Sequence, residues 1–167
     1  MRTLLLVLLT AVGAFAQKIN VEFDPAAPFA RYHTFAIRDG QFNSRNPRVS
    51  GELVKKRIEA DIARELAARG LAMAPGPGPA DLNVTYTFGA ARGVRPEAYP
   101  AGWRGYGTRV VVRHYTEGTL ILDLRDARKH ELVWRAISVE DNSDPLKIKD
   151  HLADLVRKSV EKFPPKK

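Results

Sequence analysis

The side chains able to do chemistry are dispersed through this sequence. Four histidines, His33, His114, His130 and His151, fall on two strand-like segments, a turn and a helix-like segment, and the chain has no cysteine. None of them has a second histidine three or four residues away, the spacing that would put two imidazoles on one helical face, so no metal site is expected. Glu117 and Asp123 share a strand face, yet six residues of strand separate them by roughly 20 Å. Carboxylate pairs that hydrolyse glycosides work at about 5 to 9.5 Å. Ser44, Ser50, Ser138, Ser143 and Ser159 lack the G-x-S-x-G setting of an activated hydroxyl, and neither a P-loop nor a dinucleotide fingerprint occurs. No catalytic residue and no cofactor is assigned.

One stretch has a composition suited to recognition. Gly89 to Gly107 carries Arg92, Arg95, Tyr99, Trp103, Arg104 and Tyr106 among five glycines and two prolines. Guanidinium groups and aromatic faces stack on sugars, lipid headgroups or a partner's side chains. The glycines and prolines argue for an irregular loop rather than a long strand. Such a loop either folds back over an open part of the sheet or waits for a ligand.

The elements that must position this stretch are read from periodicity. Gln17 to Phe23 alternates Ile19, Val21 and Phe23 with polar residues, the pattern of a strand with one buried face. A short second strand from Tyr32 to Arg38 should stop at the turn signal Asp39-Gly40. Val54, Ile58, Ile62 and Leu66 recur every four residues and predict a helix from Gly51 to Arg69, opened by Ser50 and closed by Gly70.

Asp81 to Phe88 reads as a strand whose polar face is uncharged, hence interior to a sheet or partly covered. Thr108 to Arg125 alternates without a break and Gly118 marks an expected bulge. Glu131 to Glu140 returns antiparallel, with Leu124 expected opposite Leu132 and Leu122 opposite Trp134. Glu117 and Asp123 should pair with Arg113, Arg125 or Arg135 on the solvated face. A last helix, capped by Asp144-Pro145, buries Ile148, Leu152, Leu155, Val156 and Phe163. The order β β α β β β α predicts a single α+β domain, a mainly antiparallel sheet of about five strands with two helices on one face.

The N-terminus bears on compartment. Arg2 precedes a short apolar run that ends Ala14-Phe15-Ala16, the form of a secretory signal peptide cut before Gln17. The domain is therefore expected over residues 17–167, in the periplasm or secreted, with no transmembrane segment and, for want of cysteine, no lipid anchor. The net charge of +8 favours an anionic glycan or lipid, or an envelope protein, as partner over nucleic acid.

Six short motifs in order carry a resemblance. They are Tyr32-His33-Thr34-Phe35-Ala36, Glu65-Leu66-Ala67-Ala68-Arg69-Gly70-Leu71, Ala80-Asp81-Leu82-Asn83-Val84-Thr85-Tyr86, Tyr115 to Leu124, Leu132-Val133-Trp134-Arg135 and Lys162-Phe163-Pro164-Pro165. Together they resemble the bacterial family known as domain of unknown function 4136, over nearly all of residues 17–167. The resemblance implies a bacterial envelope protein, in many members a lipoprotein, and carries over no active site. A non-catalytic binding or envelope-maintenance module is the reading these features support, and a hydrolase acting on an envelope polymer is the competing one.

Overall fold

Two amphipathic helices bury their stripes against one face of a sheet. The computed structural model describes residues 17–44, 51–76, 78–100, 108–142 and 151–165, while the side chains of 90–117 and 141–150 lie outside what it describes. The elements are β1 (Gln17–Phe23), a 3-10 turn (Phe29–Arg31), β2 (Thr34–Ser44), α1 (Gly51–Ala68), β3 (Ala72–Met73), β4 (Leu82–Pro100), β5 (Thr108–Asp126), β6 (Leu132–Asn142) and α2 (Leu152–Val160). Ser50, Asp144, Pro145 and Ile148, expected at the helix starts or in their stripes, lie outside the described residues.

The sheet has six strands in the order β1-β6-β5-β4-β2-β3, and it is mixed. Four strands run as an antiparallel block, but β2 lies parallel to both β3 and β4. Parallel neighbours need a crossover connection, and α1 supplies it between β2 and the two strands that follow. The expected mainly antiparallel sheet of about five strands is corrected in this respect. The block β1-β6-β5-β4 carries the antiparallel pattern, and the βαβ order adds the parallel edge.

Even-numbered positions of the central strands form the floor of the core. Leu82, Val84, Tyr86 and Phe88 on β4, Leu120, Leu122 and Leu124 on β5, and Trp134 and Ala136 on β6 are buried. Above them lie Val54, Ile58, Ile62 and Leu66 of α1 and Leu152, Leu155, Val156 and Val160 of α2. Phe163 follows α2 and meets Trp134 edge-on at 5.7 Å between ring centres, and it meets Phe29 at 5.8 Å. The C-terminal segment is thereby locked to the centre of the sheet. β1, at the margin, buries its expected face only in part, and Phe23 stays 41% exposed.

Chain turns follow local chemistry. Gly70, at φ +87°, ends α1. The amide of Leu71 donates to Leu66 O at 3.1 Å and that of Gly70 to Ala67 O at 2.9 Å, a Schellman closure in which Leu71 and Leu66 are both buried. Asp39-Gly40 does not stop β2. The register with β4 shifts between Ile37 and Gly40, and the strand continues to Ser44. An added Cβ at Gly40 would overlap the ring of Tyr86. The glycine therefore serves close approach across the sheet.

Two further expectations are corrected. Gly118 is no bulge, since it pairs in register with Ala90 on one side and Glu140 on the other. The irregularity lies between Leu124 and Arg125 instead, where Leu124 pairs with Trp134 and Arg125 with Leu132. Val133 is the extra residue, and the Leu124–Leu132 and Leu122–Trp134 pairings give way to Leu124–Trp134 and Leu122–Ala136. The cause is the turn from Asp126 to Glu131, which places His130 at φ 61° and binds the amides of Arg128 and Lys129 to Asp126 Oδ1.

Trp134 is fully buried beneath both helices, so Trp134→Ala should lower unfolding free energy by about 3 to 5 kcal/mol in chemical denaturation. Gly40→Ala forces the ring of Tyr86 to move and should cost about 1 to 3 kcal/mol. Tyr86→Leu in the same chain should recover part of that loss, measurable as a double-mutant coupling.

Candidate functional site

The stretch singled out for recognition continues the fourth strand. β4 runs to Pro100 and pairs with β5 in one register, from Leu82 opposite Asp126 to Pro100 opposite Thr108. The reading of Gly89 to Gly107 as an irregular loop is corrected for residues 89–100. A constant register along a Val-rich partner strand outweighs the local cost of Gly93 and Pro96.

β2 follows β4 only as far as Ala90, and β6 follows β5 only from Thr116 onward. Beyond those points β4 and β5 form a two-stranded arm, flanked among the described residues by no other strand. Its eight residues on β4, from Gly93 to Pro100, pair with Thr108 to Tyr115 and extend about 26 Å at strand rise.

At the base of the arm Arg92 stands opposite Thr116, and on the arm itself Arg95 stands opposite Arg113 and Tyr99 opposite Arg109. Trp103, Arg104 and Tyr106 lie outside the described residues. Arg95, Tyr99, Arg113 and Arg109 share the odd-numbered face, whereas Arg92 falls on the even-numbered one with Val94, Val110 and Val112. The arm thus divides into a basic, aromatic-bearing parity and an apolar one.

A second polar group lies at the base of the arm, over β6. Glu140 occupies the core-facing parity of that strand and is 1% exposed. Its Oε1 is 2.9 Å from Nδ1 of His151, at the start of α2, although neither carboxylate oxygen has a well-aligned hydrogen bond. Burial raises its carboxyl pKa, the nearby His151 opposes that rise, and Asp154 adds to it. One turn below, Ser138 and Ser159 hydroxyls meet at 2.6 Å, and Ser159 donates to Leu155 O at 2.6 Å.

The dispersal of the histidines in the sequence gives no sign of this pair. The signal was present in the alternation Trp134, Ala136, Ser138, Glu140, which places a carboxylate where a core residue belongs. Asp123 pairs with Arg135 through two hydrogen bonds of 2.7 and 2.6 Å, the arrangement expected for the helix-free face.

At the other end of the sheet two aspartates tie strand ends together. Asp81 Oδ2 accepts from the amides of His33 and Thr34 and from the Thr34 hydroxyl, all at 3.0 Å. The His33 amide holds its carboxyl below the usual carboxylate range, against desolvation, with help from Thr34. Asp126 Oδ2 accepts from the Tyr32 hydroxyl at 2.9 Å. Burial pushes the Asp126 pKa up, but the amides of Lys129 and Arg128 and the Tyr32 hydroxyl prevail and hold it low. Beside Asp81 opens a pocket of about 380 Å³ that Arg38 and Arg128 also line. Among the described residues no cluster of three metal-ligating side chains occurs and no helix is long and apolar enough to cross a membrane.

Solved structures of similar fold share little sequence with the chain. No curated protein matches the chain. The solved PelC dodecamer from Paraburkholderia phytofirmans is 14% identical, with a TM-score of 0.54 over 91% of this chain and 100% of that one. A DUF4136 family protein from Bacteroides thetaiotaomicron is 17% identical, with a TM-score of 0.54 over 89% of this chain and 96% of that one. A PDZ domain protein from Parabacteroides distasonis is 12% identical, with a TM-score of 0.57 over 92% of this chain and 38% of that one. These likenesses establish a shared fold. The model of the family described as "Domain of unknown function (DUF4136)" matches residues 19–165, and the chain belongs to that family.

Proposed function

We propose that this protein is an exported bacterial envelope component that acts by binding, as a non-catalytic module that associates with further copies of itself. The observation that carries the proposal is the two-stranded arm. From Thr108 to Tyr115, β5 is paired with β4 alone among the described residues. An unpaired strand edge is a template for addition of another strand. The β4 edge is blunted by Pro96 and Pro100, which lack an amide donor, whereas Arg109 to His114 on β5 contains no proline. The open β5 edge is therefore the one fitted to receive a strand.

Self-association is further supported by the solved PelC assembly of similar fold, which is a dodecamer. The leader-like residues 1–16 support export to the periplasm or beyond. The basic, aromatic stretch with Arg92, Arg95, Tyr99, Trp103, Arg104 and Tyr106 supplies the contact surface, toward a second copy and toward anionic glycan or lipid of the envelope.

A hydrolase acting on an envelope polymer is favoured by one observation, the acid–histidine pair of Glu140 and His151. Its geometry suits a packing role better. The carboxyl is 1% exposed, and the nearest serine hydroxyls are engaged with one another. A buried carboxyl with a raised pKa costs stability once it ionises.

The assembly reading is tested on the mature chain, residues 17–167, by light scattering after size-exclusion chromatography. Replacing residues 95–113 with an Asn-Gly turn joins Val94 to His114 in the existing register. The wild type should elute as an oligomer and the shortened chain as a monomer with an unchanged melting temperature. A monomeric wild type at high concentration, or an oligomer indifferent to the deletion, would overturn it.

For Glu140 the sign follows from the raised pKa. The ionised side chain weakens the fold only above the ordinary glutamate value of about 4.3. Glu140→Gln should therefore melt at or above wild type at pH 7, and the difference should close as pH falls below about 4. A fall of several degrees at pH 7 would instead mark the ionised Glu140–His151 pair as stabilising.

A further inference from the structure

We infer that the pocket at the end of the sheet away from the arm is a carboxylate-binding site, shaped for a small hydroxylated acid such as a uronic acid unit. It is formed where the starts of β2 and β4 meet the β5–β6 turn. Its volume of about 380 Å³ falls in the lower part of the range of small-molecule sites, about 300 to 1,000 Å³.

The pocket's charges are specific in kind. Arg38 and Arg128 both line it, and neither forms an ion pair among the described residues. Arg38 is held in place on one side: its Nε donates to Asn83 Oδ1 at 3.3 Å and its Nη2 to Gly78 O at 2.9 Å. A guanidinium fixed in this way, with donors left over, is prepared for a planar carboxylate, which it binds through two parallel hydrogen bonds.

Asp81 is the acidic member of the lining, and its Oδ2 is already committed to His33 and Thr34. Two arginines against one aspartate leave the pocket with one unbalanced positive charge. An acid bearing a single carboxylate neutralises it.

The uncharged part of the lining indicates what else the ligand carries. Because Asn83 accepts from Arg38 through Oδ1, its amide nitrogen keeps two donors for a ligand hydroxyl. Pro79 and Ala127 give an apolar wall, against which the C–H face of a sugar ring packs. A carboxylate at the arginines, hydroxyls at Asn83 and a hydrocarbon face at Pro79 together describe an acidic sugar better than a bare inorganic anion. The site lies at the opposite end of β4 from the arm, so it is independent of the assembly proposed above.

The test is a calorimetric titration of the mature chain at low ionic strength with galacturonate, galactose and inorganic phosphate. Galacturonate should bind saturably, galactose should give no signal, and phosphate should bind at least tenfold more weakly than galacturonate. The variant Arg38→Gln with Arg128→Gln should lose at least tenfold in galacturonate affinity while melting with the wild type. Should loss of the Arg38 contacts unfold that variant, Arg128→Glu alone, on an exposed turn, must show the same loss. No saturable galacturonate binding, binding unchanged by these substitutions, or phosphate binding as strong as galacturonate binding would each overturn the assignment.

Discussion

The pairing of β4 with β5 is the constraint on which the rest of the molecule depends. One antiparallel register holds from Leu82–Asp126 to Pro100–Thr108, so the parity set at one end governs every position to the other. A slip of one residue would turn Leu120, Leu122 and Leu124 out of the core and bring Asp123 into it. The hydrophobic layer beneath α1 and α2 therefore fixes how the distant arm is divided. Burial of Val84, Tyr86 and Phe88 decides that Arg95 and Tyr99 share a face with Arg109 and Arg113. Core and candidate contact surface are two stretches of the same ladder.

Much of that ladder was legible in the sequence, because alternation is a property of single strands. The Leu120-Leu122-Leu124 face, the stripes of both helices, the Gly70 stop and the Asp123–Arg135 pair all follow from period and local chemistry. Pairing across the sheet was less accessible. Nothing in the local pattern of Tyr32 to Arg38 distinguishes a strand that runs parallel to β4 from one that runs antiparallel; the distinction comes from the α1 crossover. The one-residue offset at Val133 arises in the Asp126–Glu131 turn, whose hydrogen bonds link residues that sequence patterns treat as a generic polar loop.

The strand from Gly89 to Pro100 forms against its local composition, for a physical reason. Glycine and proline weaken a strand by amounts on the order of 1 kcal/mol per site, and a loop was a reasonable expectation for that segment alone. The strand opposite, Arg109-Val110-Val111-Val112, is among the most β-prone runs in the chain. Propensity is a property of the pair. A weak strand is carried by a strong partner in continuous register, and a composition that suggests a loop forms a strand as far as Pro100.

The polar groups inside the fold are distributed in opposite ways at the two ends of the sheet. Away from the arm, Asp81 and Asp126 have donors for their charge, and their carboxyl pKa values are held low. Their contribution to stability is present above the unfolded aspartate value of about 3.9 and is lost as pH falls through the lower folded values. At the base of the arm Glu140 has the reverse bias, since burial raises its pKa. Its charge is tolerated beside His151 rather than rewarded. At the pocket end the two aspartates have donors for their charge, and Arg38 is held by Asn83 and Gly78. The arm end rests on a buried acid whose ionisation works against packing of α2 on β6. The two ends of the sheet thus differ in sign: the carboxylates at the pocket end stabilise the fold when ionised, and the one at the base of the arm stabilises it less when ionised than when neutral.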